Sequence, residues 1–370
     1  MLSRSFLPFQ PSLFFVIVVI VIMSLRQRTK VSTGSRVVAI RWDKRLPSSV
    51  IQSRSFATIT EDSMTSPLLN SSTLSLYELC ETDSITPIAK SSLKVRACAM
   101  EFVPDSDLIA TGTVNGNILL HKILLLQDSI ELNQCDNVNI FETRTPVSSI
   151  NARSDGTSLV ASCETGDICI TEIASTGIRS DKKRDLISSD SLPIHTVQFM
   201  SPTEKIIVSA GASGTTSIFD LRAPGNCVVA TLPGTIPIFS LSCHPRMSEY
   251  IVTGNISGDL TVWDQRSPHE FLTTQPYHNQ TVWDVKFDSE ERDTLYSCGN
   301  DGRVLWHTNL CVGADDPKEQ QRCVGYSTSS SISTNGLSIN SIDSIHVGRD
   351  ALLLSGGDDD CIRLFNAVEI

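Results

Sequence analysis

The feature of this sequence that most constrains its fold is one apolar pattern that recurs along the chain. Each copy has an alternating apolar strand, a second apolar strand, a turn that contains glycine, and a third strand that ends in an aromatic or aliphatic residue. The copies cover residues 37–79, 95–123, 147–173, 194–222, 238–266, 282–310 and 339–368. Repetition at this period up to the C-terminus indicates a repeat architecture with seven units.

The turn glycines set the length of the repeat. They are Gly116, Gly166, Gly214, Gly258 and Gly302, and they are separated by 50, 48, 44 and 44 residues. Glycine suits such turns because a positive φ carries no Cβ penalty. The spacing is near that of a four-stranded propeller blade. We therefore predict an all-β, seven-bladed β-propeller over residues 23–370, with an ordinary β-sandwich as the alternative.

The end of the chain predicts how the ring closes. The last copy ends next to Ile370, so the seventh blade has only three strands of its own after the repeat begins. An open ring would leave strand edges unpaired, which proteins avoid. We expect an N-terminal strand to supply the missing outer strand, with residues 30–35 (KVSTGS) as the candidate.

Two segments stand apart from the repeats. Residues 1–22 form an apolar extension, and the run 13–23 is shorter than the about 20 residues that a spanning helix needs. It is either a membrane anchor or an extension upstream of a true start at Met23, and we expect membrane contact only in the first case. Residues 311–336 contain a Ser-rich run and are expected to form a polar surface loop.

The charge is distributed unevenly. The net charge is -11, but residues 1–45 contain eight basic residues and one acidic residue. The remainder contains 22 basic and 40 acidic residues, which gives a net charge of -18. Because nucleic-acid backbones are bound by basic surfaces, direct DNA or RNA binding is not expected.

No motif predicts catalysis, a metal site or a cofactor. The eleven cysteines include no C-x-x-C pair, and the seven histidines form no metal-ligand pair. No nucleophile elbow, phosphate-binding loop or dinucleotide fingerprint is present. We expect a non-enzymatic protein that binds other proteins.

The copies resemble WD repeats. His278, Ser297, Asp301 and Trp306 fall near the places where such repeats build a buried hydrogen-bond network, although a Ser, a His and an Asp together can also suggest hydrolysis. WDQR at 263–266 and FDLR at 219–222 resemble the W-D-x-R element of WD proteins that recruit cullin-type ubiquitin ligases. This makes Arg222 and Arg266 candidate partner contacts, unless each Arg simply pairs with its Asp.

Several longer segments resemble one WD-repeat family, the small propeller nucleoporins of about forty-three kilodaltons in the Y-shaped nuclear pore subcomplex. The segments that carry the resemblance are HTVQF at 195–199, LSCHP at 241–245, VTGNISGDLTVWDQR at 252–266, HNQTVWDVKF at 278–287, YSCGNDGRVLWH at 296–307, SINSID at 338–343 and IRWDKRLP at 40–47.

This resemblance implies a scaffold subunit in the outer ring of the nuclear pore complex, located at the nuclear envelope. It implies binding to helical-solenoid nucleoporins, support of mRNA and protein transport, and, in animal members, association with kinetochores. The alternatives are a substrate receptor of a cullin-type ligase and a peroxisomal targeting-signal receptor.

Overall fold

The computed structural model describes residues 23–44, 54–61, 71–80, 83–127, 129–141, 145–174, 177–179, 185–200, 204–223, 228–289, 294–307, 331–333, 336–347 and 350–369. The described residues form seven antiparallel sheets. In six of them the strands follow chain order from the innermost to the outermost, and in the seventh β1 (Met23–Ser32) is the outermost strand. The chain is therefore an all-β, seven-bladed β-propeller, as the repeats predict, and the β-sandwich alternative is wrong.

The first three blades each begin with their inner strand, and the chain then runs outward through the sheet. Blade 1 contains β2 (Arg36–Trp42), β3 (Arg54–Glu61), β4 (Ser72–Leu79) and β5 (Ile85–Leu93). Blade 2 contains β6 (Ala97–Phe102), β7 (Leu108–Thr113), β8 (Asn117–Leu125) and β9 (Ile130–Asn139). Blade 3 contains β10 (Val147–Ala152), β11 (Ser158–Cys163), β12 (Asp167–Ala174), β13 (Gly177–Ile178) and β14 (Asp185–Ser188). Both β13 and β14 pair with β12, so this sheet has five strands.

The next three blades repeat the same order of strands. Blade 4 contains β15 (Ile194–Phe199), β16 (Ile206–Gly211), β17 (Thr216–Asp220) and β18 (Val228–Leu232). Blade 5 contains β19 (Ile238–Cys243), β20 (Tyr250–Asn255), β21 (Asp259–Asp264) and β22 (Phe271–Pro276). Blade 6 contains β23 (Val282–Phe287), β24 (Leu295–Gly299), β25 (Arg303–His307) and β26 (Ser331–Ser333).

Blade 7 joins the two ends of the described chain. It contains β27 (Ile339–Val347), β28 (Asp350–Gly357), β29 (Cys361–Glu369) and, as its outer strand, β1 (Met23–Ser32). The closure by an N-terminal strand is thus confirmed. The expected bounds, residues 30–35, were wrong for most of the strand, because the pairing runs from Met23 opposite Glu369 to Ser32 opposite Cys361.

The segment after β1 turns instead of pairing. The backbone N–H of Thr33 still bonds to the carbonyl oxygen of Asp360 at 2.8 Å, and Gly34 then adopts a φ of +73°. The chain has to leave the outer edge of blade 7 and reach the inner strand of blade 1 within a few residues. Residues 33–35 therefore form the connection between these blades.

The core lies between the blades. Seven apolar clusters are buried among the described residues, and each one joins two neighbouring blades, so every junction of the ring has its own cluster. At the closing junction, Trp42 and Phe56 of blade 1 pack with Leu354 and Leu364 of blade 7, and Val31 of β1 covers them. Because each blade buries both faces, the strands contain long buried runs in place of a strict in-out alternation.

Inner strands begin on one side of the disc, and the turn between the second and third strands of each blade lies on the same side. We call this side the turn face. The five turn glycines lie there with φ between +71° and +97°: Gly116, Gly166, Gly214, Gly258 and Gly302. At Gly258 a Cβ atom would lie 2.1 Å from the carbonyl oxygen of His278. This turn therefore requires both a positive φ and the absence of a side chain.

Two sequence-based expectations fall outside the described residues. They are the extension 1–22 and residues 311–330 of the polar loop 311–336. The loop expectation is wrong for residues 331–333, which form β26 because they pair with β25. No helix in the described part of the chain is long and apolar enough to cross a membrane.

We expect Gly258→Val to destabilise the protein by about 3 kcal/mol or more, because backbone strain and the steric clash act together. The measurement is the urea midpoint of unfolding. Gly34→Ala is the matched control, since Gly34 also has a positive φ but nothing within 4 Å of a Cβ atom. It should cost only about 1 kcal/mol. Equal losses in the two variants would contradict the close packing at Gly258.

We expect a chain that begins at Met23 to unfold in one cooperative transition with the midpoint of the full chain. A chain that begins at Arg36 lacks β1, so the edge of β29 and the cluster under Val31 would be exposed to solvent. It should show no cooperative transition in thermal unfolding followed by circular dichroism. Retention of a cooperative transition without β1 would show that the ring does not need this strand.

Candidate functional site

The same irregularity occurs in all seven inner strands. In each, the pairing with the second strand skips one residue near the start of the inner strand, after the first pair in blades 2 to 7 and after the second pair in blade 1. The skipped residues, called the bulge ring below, are Val38, Cys98, Ser148, His195, Phe239, Trp283 and Asn340. All seven are half-buried, and all line the central channel, whose cavity volume is about 570 Å³. A bulge redirects a side chain, so the ring presents seven side chains to the channel near the turn face.

Three consecutive members of the bulge ring form an aromatic wall. The rings of His195 and Phe239 are stacked, with centroids 4.3 Å apart, and Phe239 meets Trp283 edge to face at 5.1 Å. Burial lowers the pKa of His195, so its imidazole is neutral at pH 7. The wall is therefore an uncharged apolar surface on one side of the channel.

The opposite side of the bulge ring carries smaller side chains. Val38, Cys98, Ser148 and Asn340 belong to blades 1, 2, 3 and 7. Burial raises the pKa of the Cys98 thiol to about 11, so this cysteine is not a thiolate at pH 7. Its position in the channel differs from that of Cys163, Cys243 and Cys298, which are buried inside blades.

Deeper in the channel, polar side chains hold neighbouring blades together. The inner edge of each first strand has no further strand beside it, so its N–H groups need other acceptors. The side chains of Asn151, Gln198 and Ser242 accept hydrogen bonds from backbone N–H groups of the following blade at 2.9, 2.9 and 3.0 Å. At the closing junction, Asp343 accepts the N–H of Trp42 at 2.8 Å.

A charged network extends this arrangement across blades 6, 7, 1 and 2. Arg41 lies 3.5 Å from Asp284 and 3.7 Å from Glu101, and Lys44 lies 2.9 Å from Asp343. Burial alone would raise the pKa of Asp343, but Lys44, Lys286 and Arg41 lower it below its usual range. Asp343 therefore stays ionised and paired, whereas burial raises the pKa of Glu101. A paired, buried carboxylate of this kind suits a structural role.

In blade 6 the expected hydrogen-bond network is present with one different member. His278 bonds to Asp301 through Nδ1 at 3.0 Å and to the Ser297 hydroxyl through Nε2 at 2.8 Å. The Ser297 hydroxyl then meets Nε2 of His307 at 2.8 Å, whereas the indole nitrogen of Trp306 has no described partner. The expectation for Trp306 was wrong. Because His278, Ser297 and His307 are almost completely buried, no substrate can reach them in this arrangement.

The strand register explains why His307 replaces tryptophan. In blade 5, Trp263 lies five residues after Gly258, is opposite Ile251, and donates its indole N–H to Thr253 at 3.2 Å. In blade 6, His307 lies five residues after Gly302 and is opposite Leu295. Counting from the glycine would have identified His307 from sequence, whereas the WD-like letter pattern selected its neighbour.

The same register position is occupied by a different residue type in most blades. In order from blade 1, the residues are Tyr77, His121, Thr171, Phe219, Trp263, His307 and Phe365. All are buried. In blade 2 neither ring nitrogen of His121 has a hydrogen-bond partner among the described residues, and burial lowers its pKa to about 4. His121 is therefore neutral in the folded protein near pH 7.

Arg222 and Arg266 lie on the far face, opposite the turn face, at the ends of third strands. The guanidinium of Arg266 contacts both carboxylate oxygens of Asp264, with the closest approach at 2.6 Å, and Arg222 contacts Asp220 in the same way. Both side chains remain more than half exposed. Each Arg thus pairs with its own Asp and keeps a solvent-facing surface.

In the described part of the chain, no group of acidic, His or Cys side chains has the arrangement of a metal site.

We expect the free energy of unfolding to fall between pH 7 and pH 5 in the wild type and in His121→Phe. The fall should be about 2 kcal/mol larger in the wild type. The folded pKa of His121, about 4, lies below the ordinary value of 6.5, so the unfolded chain takes up the proton first as the pH falls. Phenylalanine occupies the equivalent position in blades 4 and 7. Urea unfolding at several pH values measures the effect. An unaltered pH dependence in His121→Phe would contradict the neutral buried state.

No model of a known protein family matches the chain. Nucleoporin Nup43 of Mus musculus is 29% identical over 136 residues, which are 36% of this chain and 35% of that protein. Nucleoporin Nup43 of Homo sapiens is 30% identical over 135 residues, 35% of each chain. Nuclear pore complex protein nup43 of Dictyostelium discoideum is 26% identical over 154 residues, 38% of this chain and 37% of that protein.

The matched region spans a little over a third of the length of these curated relatives. The fold and the matches agree on the kind of protein, since the seven blades close as WD-repeat propellers do. The chain is a WD-repeat β-propeller that resembles Nup43 nucleoporins.

Proposed function

We propose that this protein is a non-catalytic scaffold subunit of the nuclear pore complex, in the outer ring formed by the Y-shaped subcomplex. In this role it binds helical-solenoid nucleoporins at the nuclear envelope and supports nucleocytoplasmic transport. The observation that carries the proposal is its similarity to the nucleoporins named Nup43 in mouse, human and Dictyostelium.

The architecture fits a scaffold. Seven apolar clusters and the side-chain bonds between inner strands hold each blade against two neighbours. A rigid partner loses little conformational entropy on binding, which favours stable assembly. The Ser297 and His278 side chains, which offered a catalytic alternative, are buried in a structural network.

We also propose that residues 23–370 are the functional unit and that the apolar extension 1–22 is dispensable for assembly. In this proposal the polar segment 311–330 is an insertion between β25 and β26 of blade 6. The acidic balance of the chain after residue 45 favours protein partners over direct contact with nucleic acid.

The test compares the full chain with a chain that begins at Met23, each expressed with a fluorescent tag in the cells of origin. We expect both to stain the rim of the nucleus and to coincide with a nuclear pore marker. Quantitative affinity purification should recover nucleoporins of the Y-shaped subcomplex in stoichiometric amounts. Diffuse staining together with no nucleoporin recovery would overturn the proposal.

A substrate receptor of a cullin-type ligase is the second candidate, because Arg222 and Arg266 are exposed at strand ends on the far face. Under our proposal, Arg266→Ala and Arg222→Ala leave nucleoporin recovery unchanged. Exposed ion pairs contribute about 0–1 kcal/mol, so both variants should fold. Recovery of a ligase adaptor that is lost in Arg266→Ala would support the second candidate instead. Punctate staining on peroxisomes would indicate a targeting-signal receptor.

A further inference from the structure

In blade 5 a row of apolar side chains runs outward across the second, third and outer strands. The row consists of Ile251, Trp263 and Phe271, which lie opposite one another in the strand pairing. Ile251 and Trp263 are buried, whereas Phe271 is 56% exposed at the edge of the sheet. The rings of Trp263 and Phe271 meet edge to face, with centroids 5.9 Å apart. The apolar row of blade 5 therefore continues to an open edge.

The same row ends differently in most other blades. Its outer position is Pro87 in blade 1, Gln134 in blade 2 and Gln27 in blade 7. In blade 4 it is Val228, and blades 3 and 6 have no described residue at this position. Proline removes a backbone donor and glutamine interrupts the apolar row, whereas Val228 and Phe271 extend the row to the edge. Among the outer positions that the structure describes, those of blades 4 and 5 alone are apolar and keep the donor.

The outer strands of blades 4 and 5 also carry no charge. β18 has the sequence VVATL and β22 the sequence FLTTQP. The outer strands β1, β5, β9 and β14 each contain at least one charged residue. Charged side chains on an edge strand are one means by which proteins prevent the edge from pairing with a further strand. β22 therefore combines an uncharged edge with an exposed aromatic residue.

The backbone of β22 presents unpaired groups at this edge. Pro276 lies opposite Asp259, and this pair exchanges no hydrogen bond, because Pro276 has no N–H and the N–H of Asp259 bonds to the Asn255 side chain at 2.9 Å. Bonded and non-bonded pairs alternate along an antiparallel ladder, so Thr274, two residues from Pro276, is also at a non-bonded position. The N–H and carbonyl of Thr274 therefore point away from β21 and toward the open edge.

We propose that the edge of β22 binds an extended segment of a partner protein, which adds a further strand to blade 5 and packs an apolar residue beside Phe271. The backbone of this segment pairs with Thr274, and its side chain next to Phe271 continues the row that begins at Ile251. Because side chains alternate along a strand, a segment with apolar residues at every second position suits this edge. A helix uses its backbone groups internally, so it has none to pair with Thr274.

The edge is formed before a partner arrives. β22 is paired along its inner side from Phe271 to Pro276, and the apolar cluster between blades 4 and 5 contains Trp263. Binding therefore needs little rearrangement of this chain. The proposal rests on the structure of blade 5 alone, so it does not depend on the nuclear pore assignment.

The test is a selection on the purified full chain, with a phage-displayed library of random dodecapeptides as the probe. Counter-selection uses Phe271→Gln, which introduces the residue type that blades 2 and 7 have at this position. We expect the enriched peptides to alternate apolar and polar residues. Failure to enrich any peptide over the Phe271→Gln background would overturn the proposal.

The conformation of the bound peptide is tested by methylating its backbone amides one at a time. Fluorescence anisotropy measures the affinity of each methylated peptide for the full chain. A methylated amide cannot donate a hydrogen bond, so strand addition predicts a loss of affinity at every second residue. Losses without this alternation, or no loss at any residue, would show that the peptide binds in another way and would contradict the proposal.

Variants of β22 test the side-chain and backbone contacts separately. Phe271→Gln should weaken peptide binding about tenfold, because it removes the apolar contact. Thr274→Pro removes the outward N–H and should weaken binding about fivefold or more, whereas Thr274→Val keeps this N–H and should bind like the wild type. Gln134→Ala, at the equivalent position of blade 2, is the matched control and should also leave the affinity unchanged. Unchanged affinity in Thr274→Pro would place the peptide away from the edge.

The oligomeric state tests whether a second copy of this chain occupies the edge. Size-exclusion chromatography with light scattering should show a monomer for the wild type and for Phe271→Gln. A wild-type dimer that becomes a monomer in Phe271→Gln would assign the edge to a second copy and would overturn the proposal of a separate partner.

Discussion

The pairing of β1 with β29 is the interaction on which the rest of the structure depends. Without it, blade 7 would expose the edge of β29 and the cluster that Val31 covers. Each junction buries its own apolar cluster, so loss of one junction leaves both of its neighbours with solvent-exposed apolar faces. Closure also brings blade 1 beside blade 7, where Asp343 accepts the N–H of Trp42. The channel exists only because this junction is made.

The channel has two different parts once the ring is closed. Across blades 6, 7, 1 and 2, the paired charges of Arg41, Asp284, Glu101, Lys44 and Asp343 connect inner strands. This part secures the junction where the chain termini meet. Across blades 4 to 6, the bulge ring carries the aromatic side chains of His195, Phe239 and Trp283. The division separates a charged surface that stabilises the ring from an aromatic one.

The sequence could predict the positions of site residues only where their spacing along the chain fixes those positions. The turn glycines were found because Gly258 and its counterparts recur at blade length, and each has a positive φ in the structure. Counting five residues from Gly302 would also have located His307. The tryptophan pattern instead pointed to Trp306, which precedes His307 by one residue, and successive residues of a strand face opposite sides of the sheet. The bulge ring gave no such signal, since a bulge depends on the partner strand.

The sequence by itself determined that the chain is a seven-bladed propeller and that an N-terminal strand closes it. Both follow from local periodicity and from the rule that strand edges are paired. Only the tertiary structure decided that this strand is Met23–Ser32, that Asp343 bonds to Trp42, and that His195, Phe239 and Trp283 meet around one channel. These contacts join residues that are far apart in the chain. Their geometry depends on register and on the curvature of the closed ring, which no local pattern encodes.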